Sequence, residues 1–303
     1  MDIKLELGKK IRLLREQKEM SREAFCDDEL ELTVRQLSRI ESGESLPTLP
    51  KLTYISQRLF VPISHLIDES QMTLPKRYLE LKMSLFRRPP QYNKEMEDKV
   101  ESIFNEIYEQ FYDILPEEEQ LLVDVDQAII DVHHSEKIDF GEGILSDYFF
   151  QVKNKTKYTD NDLIIANLYF HCSRYSDVDS KEFEQLVEKC LDQVNYASDV
   201  GVLILGQILI IVMGVYISID EYVKVMNVIK IFNTIMKSTQ DFHKKPIVDM
   251  LEGKCWLQKG EIEKAKQKYQ DASLLARLHQ EELLSKKIEE EWKADLKESI
   301  FED

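Results

Sequence analysis

Cysteine, glycine and proline are all scarce in this sequence, and each shortage removes a class of structure. Nine glycines and eight prolines in 303 residues leave little room for a turn-rich β architecture. The four cysteines, Cys26, Cys172, Cys190 and Cys255, lie far apart, have no C-x-x-C spacing and follow no secretory signal. That pattern argues against a disulfide framework or a zinc site and for buried thiols in a reducing cytoplasm. There is no glycine-rich phosphate loop and no metal-ligand spacing, and His133-His134 is an isolated pair at an expected helix end. No metal, no cofactor and no enzymatic activity is therefore expected.

What is abundant is Leu, Ile, Lys and Glu at helical spacing, and the 43% hydrophobic fraction is enough to give each of two domains a core. The expected class is all-α. The run VGVLILGQILIIVMGVYISI, Val200 to Ile219, has about the length of a membrane span. It is bounded by Asp199 and Asp220 without Lys/Arg asymmetry and sits among amphipathic helices. Its expected place is the centre of a layered helical domain, with no membrane involved.

The net charge of -17 is unevenly placed. Met1 to Leu66 holds 11 Lys+Arg against 11 Asp+Glu, so the whole excess belongs to the remainder. Only the N-terminal part has the charge balance for a phosphate-contacting surface. There, Leu7, Ile11, Leu14 and Met20 mark an amphipathic helix over Leu5 to Met20. Ser21 can cap a short helix, Arg22 to Cys26, and Asp27 to Glu31 forms the turn. Thr33-Val34-Arg35-Gln36 has capping-box form, so a third helix starts at Thr33 and stops near Gly43. Thr48 to Leu59 and Ile63 to Ile67 follow. This is the helix-turn-helix plan, in which the third helix enters the major groove. Periodicity puts Arg35, Gln36 and Arg39 on one side of it and Val34, Leu37 and Ile40 on the other. Arg suits guanine and Gln suits adenine.

The series MSREAFC…LTVRQLSRIESGESLPTLPKLTYISQRLFVPISHLID resembles the Xre/Cro family of repressor-type DNA-binding domains over about the first 68 residues. The resemblance implies phosphate contacts from Ser21, Arg22 and Lys51, and base or backbone contacts from Arg35, Gln36 and Arg39. It also implies a structural ion pair between Arg15 and Glu41. Arg22 stands where the family usually has Gln, and the turn before the third helix is longer and more acidic than usual. The expected boundaries are 1–69 for this domain, 70–75 for a linker and 76–303 for the remainder.

In that remainder the clearest unit is Gly253-x-x-Trp256-x-x-x-Gly260-x-x-x-x-Ala265-x-x-x-Tyr269-x-x-Ala272, the small and aromatic spacing of a tetratricopeptide-like helix pair. Degenerate pairs precede it: Thr159–Arg174 with Lys181–Asn195, and Val200–Tyr216 with Glu221–Lys237. The last helix, Glu281 to Ser299, is expected to cap the array or to contact a second copy. Helix-turn-helix plus repeats resembles the Rgg/PlcR/PrgX group of Gram-positive regulators. ELTVRQLSRIESGESLP, YISQRL and YEQFYDILPEEEQL are similar to the ComR-type competence and bacteriocin regulators of streptococci.

That resemblance implies a cytoplasmic transcription regulator, an activator, that binds a short hydrophobic pheromone peptide, dimerises, and acts at an inverted-repeat site on double-stranded DNA. For the peptide, Arg87, Arg88 and Lys99 are candidate partners of its carboxylate, and Tyr169, Gln207, Ile211 and Lys245 are candidate groove positions. Pro116-Glu117-Glu118-Glu119 reads as an ordinary acidic helix start or as a latch, with Glu117 or a neighbour pairing with Arg35 or Arg39. The alternative function is a DNA-binding scaffold or repressor whose repeats hold a protein partner.

Overall fold

The computed structural model describes residues 3–66, 74–88, 94–176 and 180–301. Among them the regular structure is helical, apart from one isolated parallel bridge between Leu46 and Pro116. The chain forms two compact units, Met1–Arg88 with Lys99–Leu168, and Pro89–Asp98 with Tyr169–Asp303.

The first unit begins with α1 (Ile3–Gln17), α2 (Arg22–Cys26), α3 (Val34–Ser42), α4 (Leu49–Leu59) and α5 (Ile63–Leu66). Ile67, the expected end of α5, and 70–73 of the expected linker lie outside the described residues. α1 stops three residues before the expected Met20, because the Arg15 guanidinium takes the Met20 carbonyl at 2.6 Å and Glu19 turns left-handed, φ 55°. The Thr33 capping box is present in both directions, and α3 ends on Gly43, φ 78°. α1 and α3 cross at Gly8, where a Cβ would sit 2.2 Å from the Ile40 carbonyl oxygen. Only glycine admits that approach. Leu7, Ile11, Phe25, Leu37, Ile40, Leu52 and Ile55 close the core beneath it.

The unit continues through α6 (Lys76–Phe86), α7 (Lys94–Gln110), a 3-10 turn (Tyr112–Ile114), α8 (Glu117–Ser135), α9 (Asp139–Asn154) and α10 (Asp160–Cys172). Tyr78, Leu85, Phe104, Ile107, Leu115 and Val123 form a second core here.

The second unit holds α11 (Ser180–Asp192), α12 (Asp199–Ser218), α13 (Tyr222–Thr239), α14 (Lys245–Gln258), α15 (Ile262–Leu278) and α16 (Glu282–Phe301). By length and composition α12 is apolar enough to cross a membrane, with 56% of its most apolar window buried. Its Ile204, Leu205, Ile208, Leu209, Val212 and Met213 are buried, and it packs on α13 and α14. Aromatic rings run through this packing: Phe170 lies edge-on to Phe183 at 5.1 Å, and Phe183 to Tyr216 at 5.9 Å. The four cysteines form no disulfide and are buried, and burial pushes the Cys26 thiol up to about 12 and the Cys255 thiol to about 11.

α14 and α15 form the repeat pair expected from the sequence. A Cβ on Gly253 would meet two Tyr269 ring carbons at 2.7 Å. That ring cannot yield, because it packs on Trp292 at 5.1 Å and its hydroxyl donates to Asp295. Gly253→Val is therefore expected to lower stability by about 1–3 kcal/mol through overpacking. In a double-mutant cycle with Tyr269→Leu, denaturant unfolding should return a coupling of at least ~1 kcal/mol; additive costs would mean the two residues do not meet.

Candidate nucleic-acid interface

The scaffold of the reading surface is an ion cluster inside the first unit. Glu41, at the end of α3, accepts from Arg15 Nε at 2.6 Å, Arg15 Nη2 at 3.0 Å and Arg22 Nε at 2.8 Å. Arg15 and Glu41 are both buried, so the ion pair implied by the resemblance is a structural tie between α1 and α3. Arg22, at the start of α2, is drawn into it with 35% of its side chain exposed. Ser21 is the exposed N-cap of α2, its hydroxyl accepting from Ala24 N at 3.1 Å.

On α3, Arg35 is exposed and Arg39 half-buried. Gln36 differs from the helical-wheel expectation: it does not project beside the two arginines but turns inward and is 2% exposed. The capping box causes this, since Gln36 Oε1 accepts from Thr33 N at 3.0 Å and then takes Lys51 Nζ at 2.6 Å. Lys51 is buried with it.

Arg35, Arg39 and the buried Lys51 each meet a carboxylate from beyond the helix-turn-helix. Arg35 pairs with Asp147 of α9. Arg39 Nη1 lies 3.2 Å from Glu117 Oε1, and Lys51 Nζ 3.4 Å from Glu118 Oε1. Around these pairs, the Thr48 hydroxyl donates to Glu118 and Gln151 Nε2 to the Glu29 carbonyl. Glu117 N donates to the Leu46 carbonyl at 2.8 Å, and Asn161 Nδ2 to the Glu118 carbonyl at 3.0 Å.

Glu117 is the least comfortable member. Its side chain is 1% exposed and its Oε2 has no hydrogen-bond partner. Burial pushes its carboxyl above the usual carboxylate range, although Lys51 and Arg39 pull the other way. A half-satisfied buried charge adds little net stability, because desolvation offsets most of the Coulombic gain. The pairing is therefore held mainly by its neighbours.

The next carboxylates of α8 look elsewhere. Glu119 accepts from Lys82 Nζ at 2.8 Å and the Tyr78 hydroxyl at 2.6 Å. Asp124 accepts from Tyr108 at 3.0 Å and Tyr112 at 2.7 Å, and burial pushes its carboxyl up. Asp126, fully buried, holds the Arg88 fork at 2.6 and 2.9 Å.

The candidate peptide positions divide between the units. In the first, Arg87 is exposed just after α6, Arg88 is committed to Asp126, and Lys99 is exposed on α7. In the second, Tyr169 is buried at the end of α10, Gln207 is half-buried on α12 with the buried Ile211 one turn on, and Lys245 pairs with Asp249 at the start of α14. Sequence reasoning missed Asp147, Gln151 and Asn161, and the pairing of Glu118 with Lys51. Glu118 stood in a visible acidic run, but nothing local marked the others. Among the described residues no group of His, Cys, Asp and Glu is placed to hold a metal ion.

Comparison with known proteins bears on this arrangement. A helix-turn-helix family model matches residues 11–66 and a ComR tetratricopeptide model residues 75–292. No curated protein matches the chain. Among solved structures, ComR from Streptococcus suis is 38% identical, covers 96% of each chain and superposes with a TM-score of 0.79. The apo form of ComR from S. thermophilus is 33% identical over 96% of this chain and 99% of its own, with a TM-score of 0.83. The S. thermophilus protein in complex with DNA and its signalling peptide ComS is 32% identical over 95% and 99%, with a TM-score of 0.67. With its family model spanning residues 75–292 and relatives this similar along nearly their whole length, the chain belongs to the ComR family.

Proposed function

We propose that this protein is a cytoplasmic, peptide-controlled transcription regulator of competence, in which α8 and α9 cover the reading helix until a short hydrophobic signalling peptide binds. The S. thermophilus relative binds DNA and the peptide ComS, and a relative from S. vestibularis binds its cognate signalling peptide XIP. The same two partners are the ones assigned to this chain. The single observation that carries the gating is that Arg35, Arg39 and Lys51 each face a carboxylate, Asp147, Glu117 and Glu118, where DNA would offer phosphates and base edges.

The logic is competition between two anionic surfaces for one set of cations. While the carboxylates hold them, the helix-turn-helix presents little free positive charge, and the acidic remainder of the chain repels DNA. A peptide bound by the repeat domain shifts the balance only by preferring the form in which these pairs are open. Released subunits then act in pairs at an inverted-repeat site, as two-fold helix-turn-helix regulators do. Ser21, Arg22 and Lys51 are assigned to positioning on the backbone and Arg35 and Arg39 to reading, with Gln36 turned inward to hold Lys51. Arg87, Arg88, Lys99, Tyr169, Gln207, Ile211 and Lys245 remain the positions assigned to the peptide.

Two outcomes check this reading. In mobility shifts at fixed salt with promoter fragments, Glu117→Arg should bind DNA without any peptide. Asp147→Lys, at a position more than one-third exposed and so less of a risk to folding, should bring partial release. If both variants still require peptide, the gating fails.

In the presence of a pool of short hydrophobic peptides, Arg35→Ala should cost about 1–3 kcal/mol at its preferred site and relax base preference there. Lys51→Met should instead weaken binding to all sequences and flatten the salt slope by about 1. Unchanged specificity in Arg35→Ala would move that residue from reading to positioning.

A further inference from the structure

Within the first unit a cavity of about 360 Å³ opens between the helix-turn-helix and the start of α8, α9 and α10. That is the scale of a single small molecule. Its walls carry three lysine–carboxylate pairs, Lys51 with Glu118, Lys82 with Glu119 and Lys155 with Asp162, and two further carboxylates, the exposed Glu31 and the half-buried Asp160. Lys51, Lys82 and Asp162 are more than nine-tenths buried. Between the pairs the lining mixes the aliphatic Leu121, Leu122 and Ile165 with the polar Thr48, Tyr148 and Gln151.

This lining selects by charge. Every ammonium already has a carboxylate at 2.8 to 3.4 Å, so a simple anion would be set against all five carboxylates, Glu31 and Asp160 included, and a simple cation, although it finds Glu31 and Asp160, against the three lysines. A molecule with one charge of each sign and an apolar body meets no such conflict. Each end finds a complementary group, and the middle lies on the leucines.

We propose that this cavity binds a small zwitterion with an aliphatic body, an amino acid or dipeptide, and that its occupation opposes DNA binding. The second half rests on the gating reading above. Gln36 and Lys51 form one wall, while α6 and α8 to α10 form the others. A ligand touching both sides stabilises only the form in which they are together. It thus acts against the activating peptide without sharing its site.

The test is calorimetric titration of the full chain with leucine and with leucyl-leucine, and with N-acetyl-leucinamide as the uncharged control. Saturable binding of leucine or the dipeptide, absent for the control, is expected. Leu49→Trp should abolish it by filling the cavity from the half-exposed start of α4, and Lys155→Met should weaken it at least tenfold. No saturable binding, equal binding of the control, or binding unchanged in both variants would overturn the site.

In mobility shifts, ligand at ten times its Kd should raise the peptide needed for half-maximal DNA binding by about 10-fold in the unaltered chain. The two variants should show no rise. Binding without that rise overturns the coupling alone. If Glu117→Arg also fails to bind DNA without peptide, the fault lies with the gating reading; if it succeeds, the fault lies with the direction assigned to the ligand.

Discussion

Everything near the reading helix depends on the first turn of α8, where three consecutive carboxylates are sent to three different elements. Successive residues of an α-helix point about 100° apart. Glu117, Glu118 and Glu119 therefore cannot share a partner, and they reach Arg39 on α3, Lys51 on α4 and Lys82 on α6. Acidic side chains are favoured at a helix start in any case, so local helix chemistry and the long-range ties do not conflict. The Leu46–Pro116 bridge and the Glu117 amide bonded to Leu46 fix the height at which this turn meets the helix-turn-helix.

The energetics of that turn suit a gate better than a weld. Removing the aliphatic residues beneath it would cost stability directly, but the ion pairs themselves return only part of what their desolvation takes. Glu117, with one oxygen orphaned and its carboxyl pushed upward by burial, is the weakest link. Glu41 shows the contrast: three donors on one carboxylate, all within the helix-turn-helix. That cluster holds the domain together whether or not the neighbouring helices cover it. One chain thus carries a fully satisfied buried carboxylate in Glu41 and a half-satisfied one in Glu117.

How much of this could be read from sequence follows the range of the interaction. The Thr33–Gln36 capping box and the Gly253–Tyr269 packing lie within a helix turn or one helix pair, and both were legible as spacing. So was the α8 start, from Pro116 and the acidic run. The inward turn of Gln36 follows from the capping box, which a helical wheel ignores, and its second tie, to Lys51 fifteen residues away, has no local signature. Asp147 was invisible for a stronger reason: a lone aspartate on an amphipathic helix has no local signature, and its link to Arg35 spans more than a hundred residues. The latch reading placed Glu117 opposite either arginine, and only the structure distributes the two arginines between two helices.

The four cysteines carry a last implication. All are buried, and the thiols of Cys26, Cys190 and Cys255 are held protonated well beyond the range in which a thiolate forms. Thiolates, not thiols, are what attack peroxides and disulfides. These thiols are thus poor points of entry for an oxidant, and a cysteine introduced on the surface would stand apart from them as a chemical handle for watching a ligand come and go.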